Sequence, residues 1–177
     1  MDKKWYVAKT RAKQELSVEK KIFELDLGIE TYLPKRIEVR NWRDRKKKVE
    51  TVLIPNTIFI KGTKEEVISL HNEHGLKLSF VRDITGATKN GLLVVPDGQM
   101  TEFIRFLELA GTQYEVEDDL RYVKGDKVIV TQGAFKGITG VLVRLDGGDK
   151  VVVSLEGMIA CSVHVTLDSV EKINGLL

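Results

Sequence analysis

Between Lys35 and Lys48 the cations Lys35, Arg36, Arg40, Arg43, Arg45, Lys46, Lys47 and Lys48 are opposed only by Glu38 and Asp44, and Trp42 lies among them. Guanidinium and ammonium groups neutralise phosphates and an indole stacks on bases, so this mixture suits a nucleic acid. Affinity of that origin depends on salt and is largely blind to base order. A solvated charged loop is the competing reading of the same residues. A second polar set, Arg11, Lys13, Gln14, Lys20 and Lys21, spreads along one predicted helix. The amide of Gln14 could pair both ways with adenine. An ordinary solvent-facing helix, with Glu19 and Glu24 as partners, explains that set as well.

Other chemistry is thin. His71 and His74 stand three residues apart, a spacing that can bind metal, but no third ligand accompanies them. His164 alternates within a strand, and Cys161, the only cysteine, has no Cys-x-x-Cys partner and reads as core. No glycine-rich phosphate loop precedes a helix, and no nucleophile with its base can be read. The expectation is a binding protein with no catalytic residue, metal or cofactor.

The elements that position these residues follow from periodicity. Trp5 to Ala8 is a short run of strand formers. Residues 11–27 read as a helix with Leu16, Val18, Ile22 and Leu25 inward and Gly28 ending it. Ile29 to Val39 reads as a strand with Pro34 marking an edge, 40–48 as a charged connection, and Val49 to Lys61 as the next strand. Thr63-Lys-Glu-Glu66 is a capping box opening a short helix. Residues 78–81 read as a strand, and Asp97 caps a helix carrying Met100, Phe103, Ile104 and Leu107. The order β-α-β-β-α-β-α is that of a split β-α-β, ferredoxin-like sandwich. Along the strand 53–60, Ile54, Ile58 and Ile60 read as core. Pro55, Thr57 and Phe59 fall on the other face. Three helices need not cover both faces of the sheet, so an exposed Phe59 beside Trp5 is expected to form an apolar docking patch.

Gly111 to Leu120 carries Glu115, Glu117, Asp118 and Asp119 among few apolar anchors and reads as an exposed acidic linker. Short strands follow at 126–131, 139–145, 150–155 and 160–166. The expected domains are 1–110 and 121–173, joined by 111–120, with a tail at 174–177. A chain of 177 residues, 42% hydrophobic and 31% charged with net charge +2, can build two small cores and carries no overall polyanion-binding charge. No apolar run approaches the roughly 20 residues of a membrane helix, and the start has no secretory pattern. A soluble, cytoplasmic monomer without membrane contact is expected.

The stretch from Lys124 to Val143 resembles the KOW motif, on the opening Lys124-Gly125-Asp126, the turn Gly133-Ala134-Phe135-Lys136-Gly137, and Gly140. The resemblance implies a small SH3-like β-barrel, in which Phe135 is expected as a plug. Trp5-Tyr6-Val7, Thr31-Tyr32-Leu33-Pro34 and Leu53 to Ile60 are similar to the N-terminal (NGN) domain strands of the NusG family of transcription elongation factors. Within that family, Asn41-Trp42-Arg43-Asp44-Arg45-Lys46-Lys47 looks most like the specialised UpxY branch, whose members act on capsular and exopolysaccharide operons. Pro55-Asn56 is shared with RfaH-type paralogs.

The resemblance implies that Trp5, Tyr6, Leu53, Ile54, Pro55, Asn56, Thr57 and Phe59 meet the clamp helices of RNA polymerase. Thr63, at a helix start, would reach the facing lobe. Bridging the cleft would suppress pausing and termination. The basic residues would meet non-template or upstream DNA, with Arg11 and Lys21 placed where RfaH-like proteins carry cations. The barrel would recruit a second partner, a ribosomal protein or Rho. Two departures bear on this. Ile54 and Thr57 replace aromatics and thin the clamp patch. Glu156-Gly157-Met158 stands where housekeeping members offer a Phe before Gly, which weakens the expectation of Rho and ribosome contacts. The alternatives are housekeeping NusG and a ribosomal or other RNA-binding KOW protein. In the barrel, Arg121, Lys124, Lys127, Lys136, Arg144, Lys150 and Lys172 nearly balance Asp126, Asp146, Asp149, Glu156, Asp168 and Glu171, which is unlike an rRNA-gripping module.

Overall fold

The structure, a computed structural model, describes residues 2–42, 45–83, 91–117, 125–145, 148–155 and 158–173. Arg43, Asp118, Asp119, Lys124, Glu156, Gly157 and the 174–177 tail lie outside the described residues. The chain divides into two compact units, Met1–Asp97 and Gly98–Leu177.

The first unit contains β1 (Lys4–Lys9), α1 (Glu15–Glu24), β2 (Glu30–Tyr32), β3 (Lys35–Trp42), β4 (Arg45–Val52), β5 (Thr57–Gly62), α2 (Lys64–Asn72), β6 (Ser79–Phe80) and β7 (Val94–Val95). Its main sheet runs β2-β5-β1-β6, with β7 pairing further along β1. β1 and β5 pair antiparallel from Lys4↔Gly62 to Lys9↔Thr57. Alternation sends Tyr6, Ala8, Ile58 and Ile60 into a core with Val18 and Ile22 of α1 and Val67 and Leu70 of α2. The capping box is present: Glu66 N donates to the Thr63 hydroxyl at 3.2 Å, and Thr63 N donates to the Glu66 carboxylate at 2.8 Å. That pair fixes where α2 begins.

α1 departs from its sequence pattern. It starts at Glu15, not residue 11, because Lys13 takes φ 61° and the chain is not yet helical at Gln14. Its inward face is Glu15, Val18 and Ile22, spaced three and four, so Leu16 points away and is 50% exposed instead of buried. Glu15 sits on the apolar face because its carboxylate accepts the Asn56 backbone N–H at 2.6 Å.

The larger correction concerns 29–61. Where the pattern suggests two strands joined by a charged loop, the cationic stretch is itself paired. β3 and β4 form a separate two-stranded antiparallel ribbon, in register from Lys35↔Val52 to Trp42↔Arg45. Strand propensities disfavour lysine, and cross-strand pairing outweighs them here.

The second unit holds most of α3 (Asp97–Ala110), then β8 (Glu115–Val116), β9 (Asp126–Val130), β10 (Thr139–Leu145), β11 (Gly148–Leu155), β12 (Ile159–His164) and β13 (Val170–Lys172). The strands make one antiparallel sheet, β13-β9-β10-β11-β12-β8, the meander expected of the small barrel. Val128, Val130, Ile138, Val151, Val153, Leu155 and Val163 are buried in it. Ile138, not Phe135, is fully buried at the turn. Phe135 is half-buried and lines a surface groove with Val130, His164 and Ser169. The second compact unit begins at Gly98. α3 keeps company with the barrel strands, since the Thr139 hydroxyl donates to Glu102 at 2.8 Å.

The linker reading of 111–120 is corrected in part. Glu115 and Val116 add a strand to the free edge of β12, through Ser162↔Glu115 and Cys161↔Val116. A lysine explains it. Lys150 on β11 is only 6% exposed, and its ammonium donates to Glu115 and, at 2.9 Å, to Glu117. The Ser162 hydroxyl adds a 2.6 Å bond to the same Glu117 oxygen. A buried ammonium needs such partners. Both carboxyls are held below the ordinary carboxylate range, Glu115 chiefly by its hydrogen bond from Lys150 and Glu117 chiefly by that from Ser162.

No described helix is long and apolar enough to cross a membrane.

Two outcomes follow. A Cβ at Gly140 would lie 2.5 Å from the Val152 carbonyl oxygen, on the adjoining strand. Gly140→Ala is expected to destabilise the barrel by about 2 kcal/mol in urea unfolding. Gly98→Ala, with nothing near its Cβ, is expected to leave stability unchanged or slightly raised. The second concerns acid. Because Glu115 and Glu117 titrate lower when folded, their stabilisation is full above the unfolded carboxylate range and is lost as pH falls through the folded values. Lys150, raised by the same bonds, keeps its contribution until pH climbs through its folded value. Amide spectra are expected to show β8 unchanged at neutral pH and detaching in acid.

Candidate nucleic-acid and protein-docking surfaces

The ribbon gives the cationic stretch a defined geometry. Opposite one another stand Val39↔Lys48, Arg40↔Lys47, Asn41↔Lys46 and Trp42↔Arg45. Arg45, Lys46, Lys47 and Lys48 are exposed, and none makes an ion pair among the described residues. Nearer the root, Arg36 Nε donates to Glu38 at 2.8 Å, so that cation is already matched. Ile37 and Val39, 54% and 57% exposed, lie on the alternate face.

The ribbon is rooted on α1. Leu53 N donates to the Pro34 carbonyl at 2.7 Å, and Lys35 pairs with Glu19 of α1 at 3.2 Å. Arg11, Lys13, Gln14, Lys20 and Lys21 are all exposed on or before α1. Gln14 ends no helix by its side chain: it stands at the N-cap without a capping bond. Lys20 is only loosely matched, 3.6 Å from exposed Glu24. The two cationic sets foreseen separately therefore belong to one compact unit and meet at the Lys35–Glu19 contact.

The expected docking patch is different. Phe59 and Thr57 are fully buried, and Trp5 and Tyr6 are each 6% exposed. β5 is a central strand with both faces covered, so the exposed Phe59 that the helix count suggests is not found. Trp5 has Lys61 Nζ 5.6 Å from its ring centroid, and Lys61 pairs with Asp97 at 3.4 Å. Tyr6 has its hydroxyl pushed to a higher pKa, first by burial and then by Glu65. Ile54 is buried, Leu53 and Thr63 are half-buried, and only Pro55 and Asn56 are exposed.

Thr57 finds a structural reason. Its hydroxyl accepts from Lys9 Nζ at 2.7 Å and donates to the Pro55 carbonyl at 3.1 Å. Asn56 sits at φ 57°, with its N–H held by Glu15 and its carbonyl accepting from Thr10 N at 3.0 Å. The Pro55–Asn56 turn is thus locked by α1, β1 and β5 together. Asparagine tolerates this left-handed conformation better than most residues.

In the barrel, Gly133 and Gly137 take φ 79° and 87°, and Asp126 pairs with Lys172 of β13 at 2.8 Å. A Cβ at Gly125 would lie 2.6 Å from the Leu142 carbonyl oxygen. These KOW residues build the turn and its close strand approaches, while Lys136 is exposed. His71 is occupied structurally, its Nδ1 3.0 Å from the Leu76 carbonyl oxygen. Among the described residues no group of His, Cys, Asp and Glu is arranged to hold a metal. The Lys150 network was not legible beforehand, since its members lie 33 and 35 residues apart.

Residues 3–104 match the family model described as "NusG: Transcription termination factor nusG". Solved structures that resemble the chain include one described as "Domain interaction in Thermotoga maritima NusG", 23% identical over 98% of this chain and 99% of that one, with a TM-score of 0.45. No curated protein matches.

Replacing Thr57 with Val keeps the shape and removes both hydroxyl bonds. Thr57→Val is expected to lower stability by about 1–2 kcal/mol in denaturant unfolding, by loosening the Pro55–Asn56 turn. An unchanged midpoint would show that the turn does not depend on that hydroxyl.

Proposed function

This chain belongs to the NusG family of transcription factors, which are non-catalytic, and we propose that it rides on RNA polymerase as an operon-specific elongation and antitermination factor. The branch we assign is the specialised UpxY type, serving capsular or exopolysaccharide operons. Its motif Asn41-Trp42-Arg43-Asp44-Arg45-Lys46-Lys47 supports that assignment. The observation that carries the reading is the ribbon: a paired, projecting element ending in four consecutive exposed cations, Arg45 to Lys48, rooted on the cationic helix α1.

The division of labour follows from what is exposed and what is not. Cations of the ribbon and α1 neutralise phosphates of non-template or upstream DNA near the transcription bubble. The β1–β5 face meets the clamp helices. In the described state its available rim is Leu53, Pro55 and Asn56, while Trp5 and Phe59 are buried. Docking through the two aromatics therefore requires that this face be uncovered first, which makes engagement a choice between two states. The Thr63 start of α2 reaches the facing lobe. Holding the cleft bridged biases polymerase against the opening that accompanies pausing and termination. The barrel, with its half-buried Phe135 groove, recruits the second partner.

The test separates the two contacts. Purified polymerase is expected to retain both the wild-type chain and the Lys46→Gln/Lys47→Gln/Lys48→Gln variant in a pull-down. On a DNA scaffold with an open bubble the variant is expected to bind more weakly, with its log-affinity against log-salt slope reduced by about 3. Pausing on a cognate leader should be suppressed by wild type and less so by the variant. Failure of the folded wild type to bind polymerase would sink the reading. Equal suppression on unrelated templates would move the chain from the specialised branch to the housekeeping one.

A further inference from the structure

The last strand edge of the second unit is filled in an unusual way. β12 offers a six-residue edge, and among the described residues the two of β8 pair with it, extended by a 2.9 Å bond from Glu117 N to the Ala160 carbonyl. So short a strand contributes little ladder of its own. Its hold comes from side chains: Lys150 reaches both glutamates, and Ser162 donates to Glu117. Lys150 sits within β11, between β10 and β12, and is 6% exposed with β8 in place. Any strand lying along this edge must therefore bring carboxylates to it, at positions two residues apart on one face. A neutral strand would leave the ammonium buried without a counter-charge.

We propose that the β12 edge is a strand-exchange site, occupied here by the chain's own Glu115–Glu117 segment as a resident ligand. Its external ligand is an extended protein segment with the Glu-x-Glu pattern, which adds to β12 by backbone pairing and satisfies Lys150 and Ser162 in place of β8. Edge pairing supplies the affinity, and the buried lysine supplies the selectivity. The resident strand is a low-threshold lock. Glu115 is 57% exposed, and β8 can leave without breaking the β9–β12 meander. Tethering nevertheless gives it a high local concentration, so an external strand competes poorly until the resident one is weakened. This inference stands apart from polymerase binding and does not depend on it.

The experiment uses the full chain and a fluorescent synthetic peptide, Thr-Gln-Tyr-Glu-Val-Glu, copied from residues 112–117. The Glu115→Gln/Glu117→Gln chain, with its β9–β12 amide signals intact, is expected to bind the peptide at least about tenfold more tightly than wild type does. A peptide with both glutamates changed to glutamine is expected to lose that binding. Adding Lys150→Met to the chain should abolish it as well. The proposal is overturned if the acidic peptide fails to bind the folded double variant, or if the glutamine peptide or the Lys150→Met chain binds equally well. Should the double variant not fold, hydrogen exchange on the wild type decides instead. The Glu117 amide is expected to exchange well ahead of the β11–β12 amides, and equal protection would show that β8 is a fixed part of the sheet and not an exchangeable one.

Discussion

The pairing of β1 with β5 is the constraint on which the first unit depends. Both strands are central, and along β5 the residues Thr57, Ile58, Phe59 and Ile60 are all fully buried, so neither face is spare. A one-residue slip would exchange the two faces and send the Thr57 hydroxyl into the aliphatic core. The Pro55–Asn56 turn guards against it. It ties Glu15 of α1, Thr10 after β1 and Lys9 within β1 to the residues that enter β5. Polar bonds at the strand's start thus set the register that the apolar residues then exploit.

Electrostatics is arranged oppositely in the two units. In the second, a single buried cation is satisfied by carboxylates brought from a distant stretch of chain, and the outcome is local order. In the first, the cations Arg45 to Lys48 are gathered on an exposed ribbon and make no ion pair among the described residues. A two-stranded ribbon is marginal by itself. Its root is secured by Leu53 N on the Pro34 carbonyl and by Lys35 on Glu19. Unmatched positive charge on a poorly buttressed element is the arrangement of a surface whose complement comes from another molecule.

Much of this was legible in the sequence where local rules govern. The capping box at Thr63, the strand formers Trp5 to Ala8, the core positions Ile54, Ile58 and Ile60, and the close approach at Gly140 could all be placed from spacing and residue type. What escaped was decided at long range. Lysines and arginines are weak strand formers, so the 40–48 stretch read as a loop until its cross-strand partners were known. Glu15 took an inward position that hydrophobic periodicity assigned to Leu16, because the Asn56 amide needed an acceptor. The burial of Phe59 depends on what covers a second sheet face, which no local pattern encodes. Acids at 115 and 117 read as solvated until Lys150 was found beside them.

The ribbon hangs from the fold by its root and shares no strand with the main sheet. Its residues beyond the root can therefore be exchanged, or the hairpin lengthened by pairs, without shifting the register of β1 and β5 or refilling the core. Ordinary strands are locked to their neighbours, and ordinary loops vary at the cost of a fixed shape. This element escapes both limits: it is as free to diverge as a loop, and it presents whatever it carries on a regular 3.3–3.4 Å ruler. Descendants of one such scaffold could part company in the nucleic acid they prefer while keeping every contact of the body that bears it.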